Sequence, residues 1–262
     1  MSRLLTDRLE RRLLAAGGRP ITLRRKRKAG ERREGEPPDD PKKADQGDDA
    51  DRDDGPGTLV GYASVFYRED DPGTEYELYA DRYVSAVERV AQGCFRDALE
   101  RPDDVRATFN HSDDLILGRS SSGTLRMEED ETGLRYEVDL PDTQAARDLA
   151  ELVDRGDVTG SSFGFRVERE SWREEDDGEG RLLAIRTLES VRLEDVGPVT
   201  YPAYASASTG RSVRALGSVE EVRESYRRWK ESRGAALPLQ ARLAQIRSRH
   251  LHLQRQREQE RA

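Results

Sequence analysis

The sequence predicts a mainly β protein with peripheral helices, an α+β chain whose strands close or nearly close into a barrel. Three observations point there. Of 16 aromatic residues, 14 fall between Tyr62 and Tyr204, and none precedes residue 58. Within that interval, β-branched and aromatic runs alternate with turn residues, and only two short segments carry helical signals. Charge is also segregated: residues 1–35 carry 12 basic and 4 acidic side chains, residues 36–54 carry 3 and 9, and residues 211–262 carry 13 and 6. Charge-dense segments without aromatics cannot bury enough apolar surface to offset the entropy of ordering. The 262 residues therefore divide into a largely disordered extension over 1–57, a folded domain over 58–210 and a basic amphipathic helical extension over 211–262.

Taken in order, Thr58 to Tyr67 (TLVGYASVFY) and Arg82 to Val90 read as strands. A short helix follows around Phe95 to Glu100, then a strand from Asp104 to His111. Leu125 and Met127 alternate with polar residues, Asp130 to Gly133 makes a turn, and Leu134, Tyr136, Val138 and Leu140 alternate again, the pattern of a hairpin. Asp142 or Thr143 caps a helix running to Asp154, with Ala146, Leu149 and Val153 on one face and Gly156 past its end. Strands then run from Val158 to Glu168 and from Leu182 to Val199. Many strands and few helices suggest the closed or nearly closed barrel. Pro20 to Leu23 (PITL) leaves open a further strand in the N-terminal extension.

Composition excludes several classes. No apolar run approaches 18 residues, so no membrane helix is expected. Arginines interrupt Leu4, Leu5, Leu9, Leu13 and Leu14, so no secretory apolar region is expected either. A single cysteine, Cys94, excludes an internal disulfide and any CxxC site, which suits a reducing cytoplasm. Three histidines at unhelpful spacing make a metal centre unexpected, and no cofactor motif is present. The basic run Arg24 to Lys28 reads as a solvated stretch or as a contact for an acidic partner or nucleic acid. The strongly acidic middle of the chain argues against nucleic acid, because phosphate binding needs a basic surface.

Alternation sorts the candidate chemical residues. In Val105, Ala107, Phe109, His111 the histidine continues the apolar face, so it points inward or into a cleft. A histidine there is either a hydrogen-bonded structural residue or, as the core's one imidazole, a general base. In Val191, Leu193, Asp195 a carboxylate continues an apolar face, and burying it requires a partner, either His111 or an arginine. In Gly160 to Phe165 (GSSFGF), Phe163 and Phe165 share one face while Ser162 and Gly164 share the other. The small residues leave room for a substrate backbone beside the Ser162 hydroxyl, or they mark a bulge or tight packing. A serine–histidine–acid set is needed because a neutral hydroxyl is a poor nucleophile until an oriented imidazole takes its proton. Cys94 with His111 and neighbouring Asn110 is a rival nucleophile pair, although a lone cysteine at a helix start is usually inert packing.

The ordered pieces Glu88 to Phe95 (ERVAQGCF), Phe109-Asn110-His111, Leu117-Gly118-Arg119, Gly123-Thr124-Leu125, Gly133-Leu134, Leu140 to Thr143 (LPDT), Ala146 to Leu149 (ARDL), Ser162 to Phe165 (SFGF) and Val199 to Tyr204 (VTYPAY) resemble the prohead maturation proteases of tailed phages. The resemblance covers about residues 58 to 206. It implies a serine endopeptidase of the herpesvirus assemblin type, with a barrel of that type. Such enzymes cut the scaffolding segment of the major capsid protein, and usually themselves, inside the immature capsid in the bacterial host cytoplasm. The resemblance puts the nucleophile on Ser162, the histidine on His111 and the third, acidic member on Asp195, where the family's usual residue is Glu. Glu194 is an adjacent alternative acid on the opposite face, and Ser161 an adjacent alternative serine. Gly118, Arg119 and Gly164 are candidate oxyanion or substrate contacts. Cys94, where a small residue is common, and Gly197-Pro198, in place of a small apolar pair, are departures, and Pro198 suggests a sheet edge or bulge. The alternative function is a non-catalytic capsid-assembly or scaffold-docking protein that keeps the fold.

In the C-terminal extension, Ser218 and Glu221 form a capping box, and Val222, Tyr226 and Trp229 make one stripe. Leu239, Leu243, Ile246 and Leu253 recur at heptad-like spacing. The stripe suits either a partner surface or the protein's own core. His250 and His252 look incidental.

Overall fold

Half-buried strands need edges to pair with, and in the computed structural model they find them in two sheets. The structure describes residues 10–13, 21–25, 55–101, 104–177, 181–201 and 219–232, together with 241, 243–246 and 248. The acidic stretch 36–54, the basic residues 26–28, Ser218, Leu239, His250, His252 and Leu253 lie outside the described residues.

The first elements are β1 (Glu10–Leu13), β2 (Thr22–Arg24), β3 (Thr58–Val65), β4 (Tyr76–Ala80), β5 (Val84–Val90), α1 (Arg96–Glu100) and β6 (Arg106–Thr108). They are followed by β7 (Ile116–Arg119), β8 (Leu125–Glu129), β9 (Gly133–Asp139), α2 (Gln144–Asp154), β10 (Gly160–Asp176), β11 (Leu182–Val199) and α3 (Val219–Ser232). One sheet has seven strands in the order β1-β10-β11-β5-β4, with β6 pairing β11 further along and β7 pairing β6. The other has four, in the order β2-β3-β9-β8.

The chain is mainly β with few helices, as the alternating runs predict. The ladders among the described residues, however, trace two open sheets and not one closed ring. Alternation reports which strands have a buried face; it does not say which edge each strand finds. The two sheets share one core. Leu59, Leu134, Tyr136 and Val138 from the four-stranded sheet meet Phe163, Phe165, Val191 and Val196 from the seven-stranded one. Phe95 stands edge-on to Phe163, with ring centroids 5.5 Å apart, and Phe163 stacks on Phe165 at 4.7 Å. Between the sheets, a Cβ on Gly118 would lie 2.4 Å from Val138 Cγ2, so this glycine permits their close approach.

Most elements stand where the sequence puts them. The hairpin forms as β8 and β9, and the Thr143 hydroxyl caps α2 by accepting from the Ala146 N–H at 3.3 Å. Gly156, at φ +79, ends that helix. Three differences have physical causes. The strand expected over 104–111 is only Arg106–Thr108, because Asn110 and His111 both adopt positive φ (57° and 56°) and leave the ladder. The strand expected to stop at Glu168 runs on to Asp176, since the mostly polar residues 169–176 are paired by the similarly long β11. Strands β4 and β7 are short and lack clean alternation, and long-range pairing supplies what local pattern does not.

A second, smaller cluster joins α3 to the seven-stranded sheet. Val222 and Tyr226 are buried against Ala86, Trp172 and Ala184, and Trp229 packs on them. The stripe of α3 thus covers this protein's own sheet, the second of the two readings. Beneath it, Arg186 donates through Nε to Glu170 at 2.6 Å and through Nη1 to Glu88 at 2.9 Å. Glu170 also accepts from the Trp172 indole at 3.2 Å and from the Ser225 hydroxyl, so one buried network ties α3 to the sheet.

Glu88 is fully buried and Arg186 nearly so. Removing one partner of such a pair leaves an uncompensated charge, which costs about 3–5 kcal/mol. Arg186→Met is expected to lower unfolding free energy by about that much, read from urea titration followed by tryptophan fluorescence.

Candidate active site

The β10–β11 ladder sets the geometry. In its register Ser162 stands opposite Gly197, and Gly164 opposite Asp195. Ser162 and Asp195 therefore share a face as diagonal neighbours on adjacent strands, a spacing of about 7–8 Å. That gap accommodates an imidazole with a hydrogen bond at each end. His111 fills it: Nδ1 lies 2.6 Å from Asp195 Oδ2, and Nε2 lies 2.5 Å from Ser162 Oγ. An ionised carboxylate can only accept, so Nδ1 carries the proton and donates it to Asp195. Nε2 is then left to accept from the Ser162 hydroxyl.

Asp195 is one methylene shorter than the residue usual in the family it resembles, and its carboxylate still reaches. A second donor steadies it: the Thr108 hydroxyl donates to Oδ2 at 3.0 Å. Oδ1 is buried and accepts nothing among the described residues. The buried carboxylate therefore leans on the imidazole, and the imidazolium formed when Nε2 takes a proton is the cation best placed to compensate it. Burial is general here, with side-chain exposures of 6% for His111 and 12% for Asp195 and none for Ser162.

His111 does not reach this position by ending a strand. The chain leaves β6 at Thr108 and turns through two consecutive residues of positive φ, Asn110 and His111. Such a conformation costs a non-glycine residue about 1–3 kcal/mol, and asparagine tolerates it better than most. Three bonds hold the turn. The Asn110 N–H donates to the Pro198 carbonyl at 3.0 Å, its Nδ2 donates to Thr200 Oγ1 at 2.9 Å, and its Oδ1 accepts from the Thr200 N–H at 2.8 Å. The turn also packs tightly on β11: a Cβ on Gly197, at φ +153, would lie 2.0 Å from the Thr108 carbonyl oxygen. Gly197-Pro198 is thus the seat of the histidine turn, and Pro198 lies past the last residue of β11 that β6 pairs.

The adjacent candidates are engaged elsewhere: Ser161 faces the other way and shares a hydrogen bond with the buried Tyr136 hydroxyl at 2.9 Å, and Glu194, at the register shift between Gly164 and Phe165, accepts from Arg166 Nε at 2.7 Å. Cys94 is buried in the main core, where burial pushes its thiol far above the usual range, so it is no rival nucleophile. Asn110 serves the turn instead of a cysteine. Gly164 lies two residues beyond Ser162, opposite Asp195. Gly118 and Arg119 lie in β7, where Gly118 pairs Ala107 and Arg119 Nε donates to Asp104 at 2.7 Å. Among the described residues, no group of three or more histidine, cysteine, aspartate or glutamate side chains could hold a metal ion. No described helix is long and apolar enough to cross a membrane.

Sequence reasoning missed Thr108, whose bond to the acid spans 87 positions and has no local signal. It also missed Asn110 as a clamp, for which an asparagine directly before the inward histidine was the available hint.

Over residues 45–222 the chain matches the family described as Caudovirus prohead serine protease. The prohead protease of Enterobacteria phage HK97 is 27% identical over 172 residues, a match spanning 64% of this chain and 65% of that protein. The chain thus spans somewhat less than two thirds of the length of this curated relative. No solved structure matches it.

If the Asn110 clamp aims His111, losing its amide displaces the imidazole, and a misplacement of about 1 Å can cost about a hundredfold in rate. Asn110→Ala and Asn110→Gly should both slow fluorophosphonate labelling of Ser162 by about tenfold or more. The alanine variant should also lose about 1–2 kcal/mol of stability, which glycine avoids because it accepts positive φ. Unchanged labelling in both variants would remove the positioning role.

Proposed function

The chain belongs to the caudovirus prohead serine protease family, and from that premise we propose that it is a serine endopeptidase of prohead maturation. The observation that carries this reading is the His111 imidazole, bonded at one nitrogen to Asp195 and at the other to Ser162. Ser162 Oγ attacks the scissile carbonyl while His111 Nε2 takes its proton. Asp195 holds the tautomer and stabilises the imidazolium. The tetrahedral intermediate collapses as the imidazolium protonates the leaving amine, giving an acyl-enzyme on Ser162. Water, deprotonated by the same imidazole, then releases the new carboxyl terminus and restores the serine.

Of the three candidate oxyanion or substrate contacts, this reading keeps Gly164, because it neighbours both the nucleophile and the acid in the ladder. Gly118 and Arg119 are the less direct candidates. We assign as substrates the scaffolding segment of the major capsid protein and the chain itself, cut in the linker near residues 36–57 or in the C-terminal extension. The place of action is the interior of the immature capsid in the host cytoplasm. We also assign the assemblin-type barrel, on the ground that two sheets over one shared core are the halves such a barrel would need. A non-catalytic assembly protein would have no use for a serine, an imidazole and an acid in bonded sequence.

Co-expression with the cognate major capsid protein tests this reading. Wild type is expected to process the capsid protein and to shorten itself, and Ser162→Ala is expected to do neither, with intact-mass spectrometry as the readout. Equal processing by both chains would sink the assignment of Ser162.

A further inference from the structure

The nucleophile strand β10 has two edges. One is covered by β11 over its whole length, and at Ser162 the other is covered by β1, a segment about 150 residues earlier in the chain. The pairing is antiparallel, with Leu13 opposite Ser162, Arg12 opposite Phe163, Arg11 opposite Gly164 and Glu10 opposite Phe165. Ser162 itself has no exposed surface. A peptide carbonyl must come within about 3–3.5 Å of a nucleophile to react. Some part of the protein must therefore move before a substrate can reach Ser162.

We propose that the β10 edge beside Ser162 is the docking edge for an extended peptide substrate, and that residues 10–13 of this chain occupy it as an intramolecular competitor. This rests on the serine endopeptidase reading and adds its regulation. Strands in a ladder lie about 4.8 Å apart, which is the range at which a bound peptide would present its backbone to Ser162. Addition of a strand to an open edge supplies main-chain hydrogen bonds that any extended sequence can make. With β11 fixed on the far side, the β1 position is the one edge of β10 at Ser162 that can be vacated. β1 is four residues long, so its ladder is short enough to exchange with a longer substrate strand. While it is seated, apparent substrate affinity falls in proportion to the fraction of molecules that are open.

The test uses the full-length chain with Arg12→Pro and Leu13→Pro. Adjacent residues in a strand direct their N–H groups to opposite edges, so one proline removes a donor facing β10 and the other faces away. One of the two variants is expected to label with a fluorophosphonate at Ser162 at least tenfold faster than wild type. A synthetic peptide of residues 7–16, added to that variant, is expected to slow labelling back toward the wild-type rate in a saturable way. Equal, measurable labelling of Ser162 in all three chains would overturn the inference and leave the catalytic reading standing. Absence of labelling at Ser162 in every chain would overturn both. Should the proline variants fail to fold, hydrogen exchange on wild type decides. A tetrapeptidyl phosphonate attached to Ser162 is expected to speed exchange at residues 10–13 at least tenfold, and unchanged exchange there would overturn the inference.

Discussion

The register of β10 against β11 is the constraint from which the site follows. With Ser162 opposite Gly197 and Gly164 opposite Asp195, a hydroxyl and a carboxylate stand on one face, an imidazole's length apart. A slip of one residue in either strand would turn its side chains over. Ser161 or Glu194 would then replace Ser162 or Asp195 on the site face. Two contacts guard against this: Ser161 is bonded to the buried Tyr136 hydroxyl on the reverse face, and Glu194, at the register shift, is paired with Arg166. The two adjacent candidates thus have a use, which is to pin the register that presents the other two.

Gly197 converts register into the geometry of the bonded trio. Having no side chain, it lets the Thr108 carbonyl press against β11, bringing the end of β6 close enough for the Thr108 hydroxyl to reach Asp195. The following turn accepts two strained residues, and the bonds from Asn110 to Pro198 and Thr200 hold them. Strain that persists in a native structure must be held by its surroundings, and here the surroundings are Pro198 near the end of β11 and Thr200 just past it. One strand therefore supplies the acid, the glycine seat and the anchor for the histidine.

Much of this was legible in the sequence, for reasons that differ by residue. Asp195 could be found because a carboxylate following Val191 and Leu193 at even spacing is costly to bury and announces a partner, although the register shift between Gly164 and Phe165 turns Asp195 off the Leu193 face and onto the face of Ser162. His111 could be found because it follows Val105, Ala107 and Phe109 at even spacing, although the strand behind that pattern stops at Thr108 and a left-handed turn provides the final aim. The hairpin of β8 and β9 and the cap of α2 were legible because their signals are local. Closure of the sheets, the short strands β4 and β7, and the Thr108 bond were not. Each depends on pairing between distant segments, which alternation does not encode. The stripe of α3 was visible as a stripe, but only the position of Trp172 and Tyr226, 5.3 Å apart by ring centroid, shows that it packs on the protein's own sheet.

Ser162, His111 and Asp195 are proposed to act as one unit, and residues that act as a unit lose activity non-additively. The direct measurement is a double-mutant cycle of His111→Ala and Asp195→Ala, read by the rate of covalent labelling at Ser162. The double variant is expected to be no slower than His111→Ala alone, because in the proposed triad Asp195 works through the imidazole. Rate losses that multiply would show that the acid acts independently of the histidine, and would contradict the proposed triad.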